Sequence, residues 1–384
     1  MIHNYSDRLD RLIERRTAPV TAPLKKSMAS AEFEREVYQA PVINEAYSRI
    51  EQEGKATRYA IGAMEQVDEN YTRITYEQGE RIENQLSKAF EKCGIECDFD
   101  YQGSVPCDIH IKAHSDIDML AITRRFINLE RPQVPVYPYT GNPLEDLREI
   151  RTGASACLQT VFPAATIDTS GRKSISIEGG SLSRKVDIVP ANWFDTNAYK
   201  QTGEKRDRGV MILDHKLGFR LANFPFLHID RVETRDRETY GGFRKVVRLM
   251  KSLKYDSDNH IKLTSYDIVG IAYAMPTSTL IAPRELQLSL LSRLKQFLDH
   301  LAGDEHLRNS IQVPDGTRKV FGEGYASKEQ LAAMQDEVDD LVEAVAKDLN
   351  RSFEKLAEAR ISFRPQTPIA KPYFQPLRMR NPAW

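Results

Sequence analysis

Gln102-Gly103-Ser104, followed at a short distance by Asp116-Ile117-Asp118, is the stretch that decides how this chain is read. In a strand, residues two apart project from the same face, so Asp116 and Asp118 can grip one small site. Gly103 permits a positive φ or a close backbone approach, and Ser104 adds a hydroxyl where a helix is expected to start. Further on, Lys185-Val186-Asp187-Ile188-Val189 reads as a strand, with a third carboxylate between β-branched residues. Three carboxylates packed together would repel by ~4 kcal/mol per pair at about 4 Å and an effective dielectric of about 20. Divalent cations remove that objection, and carboxylate-bound Mg²⁺ is a known arrangement for phosphoryl transfer. Asp116-x-Asp118 alone is more often a solvated strand edge or turn, since such short matches are common. Its spacing from Gly103-Ser104 and the apolar strand around Asp187 favour the metal-phosphate reading.

The whole chain bounds the rest. At 384 residues it is long enough for two lobes, each with its own core. Its hydrophobic share of 41% and charged share of 28% are those of an ordinary soluble protein. The formal charge of -1 gives no global attraction to nucleic acid, so avid duplex binding would need a local patch. No apolar run approaches the ~20 residues of a membrane span, and the polar start is no signal peptide. Cys93, Cys97, Cys107 and Cys157 are too few for a disulfide scaffold, and Cys93-x-x-x-Cys97 lacks a second pair at zinc-finger spacing. A reducing cytoplasm is the compartment that fits.

The patterning is α+β. A helix is expected over Thr72–Lys92, with Ile74, Ile82, Leu86 and Phe90 on one side and Gly94 ending it. Strands are expected at Cys97–Tyr101 and Ile117–Thr123, with alternating Ile109 and Ile111 between them. An exposed Pro- and Tyr-rich loop spans Pro132–Pro143, and a helix runs from about Asn142 to Phe162. Ala165–Asp168, Ser174–Glu178 and Lys185–Val189 read as strands. After Asn192 the pattern turns helical, most clearly at Asp230–Tyr255, Ser265–Ala274, Pro283–Leu301 and Lys328–Ala357. The expected organisation is N-terminal helices on the helical lobe (1–60), a catalytic core (61–215), a helical lobe (216–359) and a Pro-rich basic tail (360–384).

The pattern Gly-Ser, acidic-x-acidic and a later acidic strand residue resembles the nucleotidyltransferase superfamily. In that superfamily a helix contributes a lysine to the nucleotide triphosphate, and a Ser-Tyr pair opens the next helix. The segment Phe243–Lys254 carries an apolar stripe of Val246, Val247, Met250 and Leu253 beside a cationic one of Arg244, Arg248 and Lys251. By itself that is a solvated basic face. The resemblance implies that Lys251, with Arg248 near it, binds phosphate, that Ser265 does the same, and that Tyr266 stacks on a base for ~1–3 kcal/mol. Ser265 also suits a simple N-cap and Tyr266 a core aromatic. The resemblance likewise implies Gln102, Gly103 and Ser104 on the nucleotide, and Asp116, Asp118 and Asp187 as catalytic ligands of two Mg²⁺ ions, with Mn²⁺ as a substitute.

Within the superfamily the chain most resembles the bacterial CD-NTases, relatives of cyclic GMP-AMP synthase and oligoadenylate synthase. The residues that carry this are the Gly103-Ser104…Asp116-x-Asp118 core, Arg184-Lys-Val-Asp-Ile-Val-Pro190, Arg248-Leu-Met-Lys251, Ser265-Tyr266 and the long helix before the Gly-Ser strand. The implied fold is a bilobed nucleotidyltransferase, a mixed-sheet catalytic lobe with a helical lobe. The implied activity joins ATP and other NTPs into a cyclic di- or trinucleotide messenger, expected to contain adenine, in antiphage (CBASS) defence. No zinc insertion of the animal DNA sensor is present, so DNA activation is not expected. The family implies either constitutive activity or a ubiquitin-transfer-like or HORMA-type regulator, and the tail that ends in Trp384 is read either as the segment such a regulator docks to or conjugates or as a terminus with no role. Two other readings share the motifs: a template-independent RNA-tailing nucleotidyltransferase, and a non-catalytic nucleotide-binding or interaction protein.

Overall fold

The computed structural model describes residues 4–17, 47–48, 50–112 and 116–359, with side chains as far as 351. The Pro-rich segment after 359 and the whole stretch 18–46 lie outside the described residues. These divide into two compact units, one of residues 67–232 and one of 4–17, 47–66 and 233–359.

The first unit is built on a seven-stranded mixed sheet. Its strands are β1 (Cys97–Gln102), β2 (Ile117–Leu129), β3 (Thr166–Asp168), β4 (Ile175–Glu178), β5 (Val186–Asp195), β6 (Gly209–Asp214) and β7 (Phe219–Asn223). The order is β1-β2-β5-β4-β3, with β6 pairing the far half of β5 and β7 pairing β6. β2 runs antiparallel to β1 and parallel to β5. Period-two alternation gives the sheet two different faces. Ile117, Met119 and Ala121 of β2 and Val186 and Ile188 of β5 meet Ile82, Leu86 and Phe90 of the Glu69–Cys93 helix and Leu147, Ile150 and Leu158 of the Pro143–Val161 helix. The opposite face carries Leu120, Ile122, Val189, Ala191 and Trp193. Asp68 and Asn142 cap the two helices by accepting backbone N–H bonds, contributing about 1 kcal/mol each.

The second unit is helical. Its centre is the Gly242–Asp256 helix, where Phe243, Val246, Val247, Leu249, Met250 and Leu253 are all fully buried. The N-terminal helices Tyr5–Thr17 and Lys55–Met64 belong to this unit, and a polar knot fixes them. The Asp256 carboxylate accepts from Arg15 at 2.5 and 2.9 Å and from the Tyr59 hydroxyl at 2.7 Å. Burial beside that carboxylate pushes the Tyr59 phenol well above its ordinary range. The helices Ser289–Gly303 and Lys328–Ala359 complete the unit.

Several expectations need correction. The long helix expected over Asp230–Tyr255 is two helices, Pro225–Glu238 and Gly242–Asp256. Tyr240 and Gly241 sit at φ 52° and 85° between them. Asp236 accepts from the Arg244 N–H at 2.9 Å and Thr239 accepts from the Phe243 N–H at 3.1 Å, which starts the second helix afresh. The chain does not turn helical after Asn192, because β5 runs on to Asp195 and β6 and β7 follow. The expected Pro283–Leu301 helix begins at Ser289, after a short 3₁₀ turn at Arg284–Leu286. Ile109 and Ile111 are buried but form no strand. No described helix is long and apolar enough to cross a membrane.

Candidate active site

The register of the sheet sets the carboxylates side by side. Gln102 on β1 pairs with Asp118 on β2, Asp118 pairs with Asp187 on β5, and Asp187 pairs with Ser176 on β4. Residues in register share a face, so Asp118 and Asp187 look the same way from adjacent parallel strands. Asp116 lies one step before β2 with the same parity. The neighbours inward on that face, Leu120 and Val189, are apolar and buried, so the polar patch sits at the end of a closed face.

Lys185 stands in the middle of this patch. Two residues before Asp187, it shares the Asp187 side of the strand, and its carbonyl accepts the Ile117 N–H at 3.2 Å. Its ammonium lies 2.7 Å from Asp116 Oδ2 and 3.3 Å from the Asp187 carboxylate. Burial pulls the ammonium down, but the Asp116 hydrogen bond and the Asp187 charge outweigh it and hold the lysine above its usual range. Asp187 is 16% exposed and Asp116 44%, so the cluster runs from interior to solvent.

The Gly-Ser turn closes the other side of the row. Gly103 has φ 84°, and a β-carbon there would sit 2.3 Å from Asp118 Oδ2, so only glycine leaves room for that carboxylate. Gln102 is held by the Asn223 amide, which donates to its Oε1 at 3.0 Å. Ser104 does not start a helix: residues 104–108 form turns, with Ile109 N–H donating to the Ser104 carbonyl at 3.1 Å. Asp108 sits at φ 52°, outside the right-handed helical region, so the turn at 104–108 does not propagate into a helix.

The expected triphosphate residues belong to the helical unit. Lys251 and Arg248 are both buried, and Arg248 Nε donates to the Met64 carbonyl at 3.0 Å. Ser265 is exposed and opens the Ser265–Tyr273 helix, but it is not the N-cap. Thr264 fills that position in a capping box with Asp267. Tyr266 hydrogen-bonds to Asp315, and the Arg318 guanidinium lies 5.5 Å from its ring centre. A groove of about 520 Å³ on the first unit contains none of the three carboxylates. Its charged walls pair with each other, Arg124 with Asp98 and Lys205 with Asp100.

Residues 230–346 match the family model described as the cGAS/DncV-like nucleotidyltransferase C-terminal helical domain. The chain is 37% identical over 311 residues to a cyclic dinucleotide synthase CdnE of Yersinia aleksiciae, covering 80% of this chain and 81% of that one. It belongs to the cGAS/DncV-like nucleotidyltransferases. A second CD-NTase, a c-di-GMP synthase of Lachnospiraceae bacterium (strain RUG226), is 30% identical, covering 73% of this chain and 86% of the relative. The solved structure of the STING-associated CdnE c-di-GMP synthase from Capnocytophaga granulosa superposes with a TM-score of 0.66 at 25% identity, covering 91% of this chain and all of that one. The mixed sheet and the C-terminal helical domain are therefore those of a CdnE-type CD-NTase.

The donor set of this CD-NTase suits a hard divalent cation. It offers carboxylate oxygens, and Asp187 Oδ1 is buried with no hydrogen bond, its charged neighbour being the Lys185 ammonium at 3.3 Å. Among the described residues no three acidic, His or Cys side chains are gathered about one point. The Lys185 ammonium takes up the space between Asp116 and Asp187. Lys185 is the residue that motif reading passed over. The signal was available, because a lysine two before a strand carboxylate must share its face.

Proposed function

We propose that the chain is a cyclic dinucleotide synthase that joins two molecules of GTP into cyclic di-GMP. The observation that carries this is the in-register Asp118–Asp187 pair beside the Gly103 turn, in a chain 37% identical to a cyclic dinucleotide synthase over most of its length. The c-di-GMP synthases of Lachnospiraceae and Capnocytophaga granulosa support guanine in place of the adenine expected from the sequence, and a two-nucleotide ring in place of the open choice of two or three.

A ribose hydroxyl of one nucleotide attacks the α-phosphate of the other and pyrophosphate leaves; the same step within the linear intermediate closes the ring. Asp116, Asp118 and Asp187 would hold Mg²⁺, which when bound supplies positive charge to the attacking oxygen and the leaving pyrophosphate. Gly103 keeps the backbone low so that Asp118 stands upright in the row, and Ser104 offers its hydroxyl to phosphate. Lys251 and Ser265 bind triphosphate and Tyr266 receives a base; these three roles rest on motif order in the chain. The Capnocytophaga relative is STING-associated, which supports a STING-type receptor as the consumer of the product.

The test is product analysis by mass spectrometry after incubation with Mg²⁺ and each NTP alone and in pairs. A phosphatase-resistant cyclic species from GTP alone is expected. Tailed RNA with no cyclic species under any combination would overturn the reading.

A further inference from the structure

Lys185 lies between two of the three carboxylates proposed to hold Mg²⁺, and this inference rests on that assignment. We propose that Lys185 is a positioning residue that acts as an internal counter-cation: its ammonium pairs with Asp116 and Asp187 while no metal is bound, and the entering divalent cation displaces it.

The placement is built by the fold. Ile117 and Val186 are register partners, so the residue before each, Asp116 and Lys185, lies at the same level of the parallel pair. The Ile117 N–H bond to the Lys185 carbonyl continues the ladder to that level. Lys185 and Asp187 share a face by strand parity, whereas the neighbouring Arg184 turns away and sets its guanidinium 3.8 Å from the centre of the Tyr71 ring. Lys185 therefore reaches both flanking carboxylates, at 2.7 and 3.3 Å. An ordinary surface ion pair joins two charges. Here a single cation is shared by two acidic groups of one row, and its ammonium lies 3.3 Å from both oxygens of Asp187.

The physical need is clear. Asp118 and Asp187 are set side by side by strand pairing and Asp116 lies one step away, so their like charges repel, most strongly before metal arrives. An ammonium relieves it and is monovalent, so a divalent ion can outcompete it. The lysine has a flexible stem and can withdraw its head into solvent, since its side chain is 31% exposed. Lysine and metal are then competing ligands of one site, and removing the lysine must strengthen metal binding.

The experiment is isothermal titration of Mn²⁺ into nucleotide-free protein, for wild type, Lys185→Met and Asp116→Asn/Asp118→Asn. Lys185→Gln serves as a second variant of similar length that keeps polarity. Both lysine variants are expected to bind Mn²⁺ about tenfold more tightly than wild type. Their melting temperature should fall in EDTA and recover in Mg²⁺, so that the metal-induced rise exceeds that of wild type. A purely structural ion pair would lower the melting temperature equally with and without metal. Equal or weaker Mn²⁺ binding by the lysine variants, with binding lost in Asp116→Asn/Asp118→Asn, overturns the role of Lys185 and leaves the metal assignment standing. Unchanged Mn²⁺ binding by Asp116→Asn/Asp118→Asn overturns the metal assignment itself.

Discussion

Gly103 and Asp118 share a space that admits one side chain: a β-carbon at 103 would lie 2.3 Å from Asp118 Oδ2. The backbone at 103 is also in the left-handed region, at φ 84°, where an L-residue costs about 1–2 kcal/mol. Gly103→Ala should therefore act twice, with a modest loss of stability and a displaced Asp118. Misplacing a reacting group by about 1 Å can cost ~100-fold in rate. Nucleotide turnover is expected to fall by about that factor while the melting temperature drops only a few degrees. Retained turnover with the same thermal loss would show that the Asp118 carboxylate does not need its present position.

Asp116 and Asp118 lie at the mouth of the row, clear of the apolar layer beneath, so replacing both with Ala should abolish product without unfolding the chain. Circular dichroism should match wild type, and in EDTA the variant should melt no lower, since like charges have been removed. Continued synthesis of a cyclic product by the double variant would remove these carboxylates from the chemistry.

The sequence disclosed the row but not its frame. Asp116, Asp118 and Asp187 were legible because each sits in a short apolar strand, and a period of two says which way a side chain points. The helices Glu69–Cys93 and Pro143–Val161 were legible from their stripes and from Asp68, Gly94 and Asn142 at their ends. β6 and β7 were not, because Gly209–Asp214 and Phe219–Asn223 are short and border polar stretches with no clear alternation. The break at Tyr240-Gly241 was signalled by the Gly241-Gly242 pair, which favours a turn over a continuous helix. The second helix restarts where Asp236 and Thr239, a few residues back, accept the Arg244 and Phe243 N–H bonds. That Lys185 shares the Asp187 face was legible, but its contact with Asp116 needed the pairing of β2 with β5, which joins residues some seventy positions apart in the chain.

The turn between β6 and β7 supplies a pH-dependent contribution. Asp214 is buried; its Oδ1 accepts from the Leu217 N–H at 3.0 Å and its Oδ2 from Arg172 Nε at 3.0 Å. The Arg172 hydrogen bond, reinforced by the Leu217 N–H and the arginine charge, holds this carboxyl below its ordinary value. A depressed carboxyl contributes stability above its unfolded value of about 3.9 and loses it as pH falls through the folded one. Asp214→Asn should therefore melt below wild type at neutral pH, and the gap should close under acid conditions below about pH 4. A gap of constant size from neutral to acid pH would mean that the Asp214 charge contributes nothing.

Arg248 separates a structural role from a nucleotide-binding one. It is 5% exposed, and its Nε donates to the carbonyl of Met64, the last residue of the Lys55–Met64 helix. A guanidinium at a helix C-terminus suits the dipole and satisfies a carbonyl that has no partner within the helix. Arg248→Met would leave that carbonyl buried and unpaired, at a cost of about 1–3 kcal/mol. The expected result is a melting temperature lowered by several degrees with KM for the nucleotide little changed. Arg248→Lys should recover part of the loss, because an ammonium can still donate to Met64. The opposite pattern, an unchanged melting temperature with a raised KM, would assign Arg248 to the triphosphate.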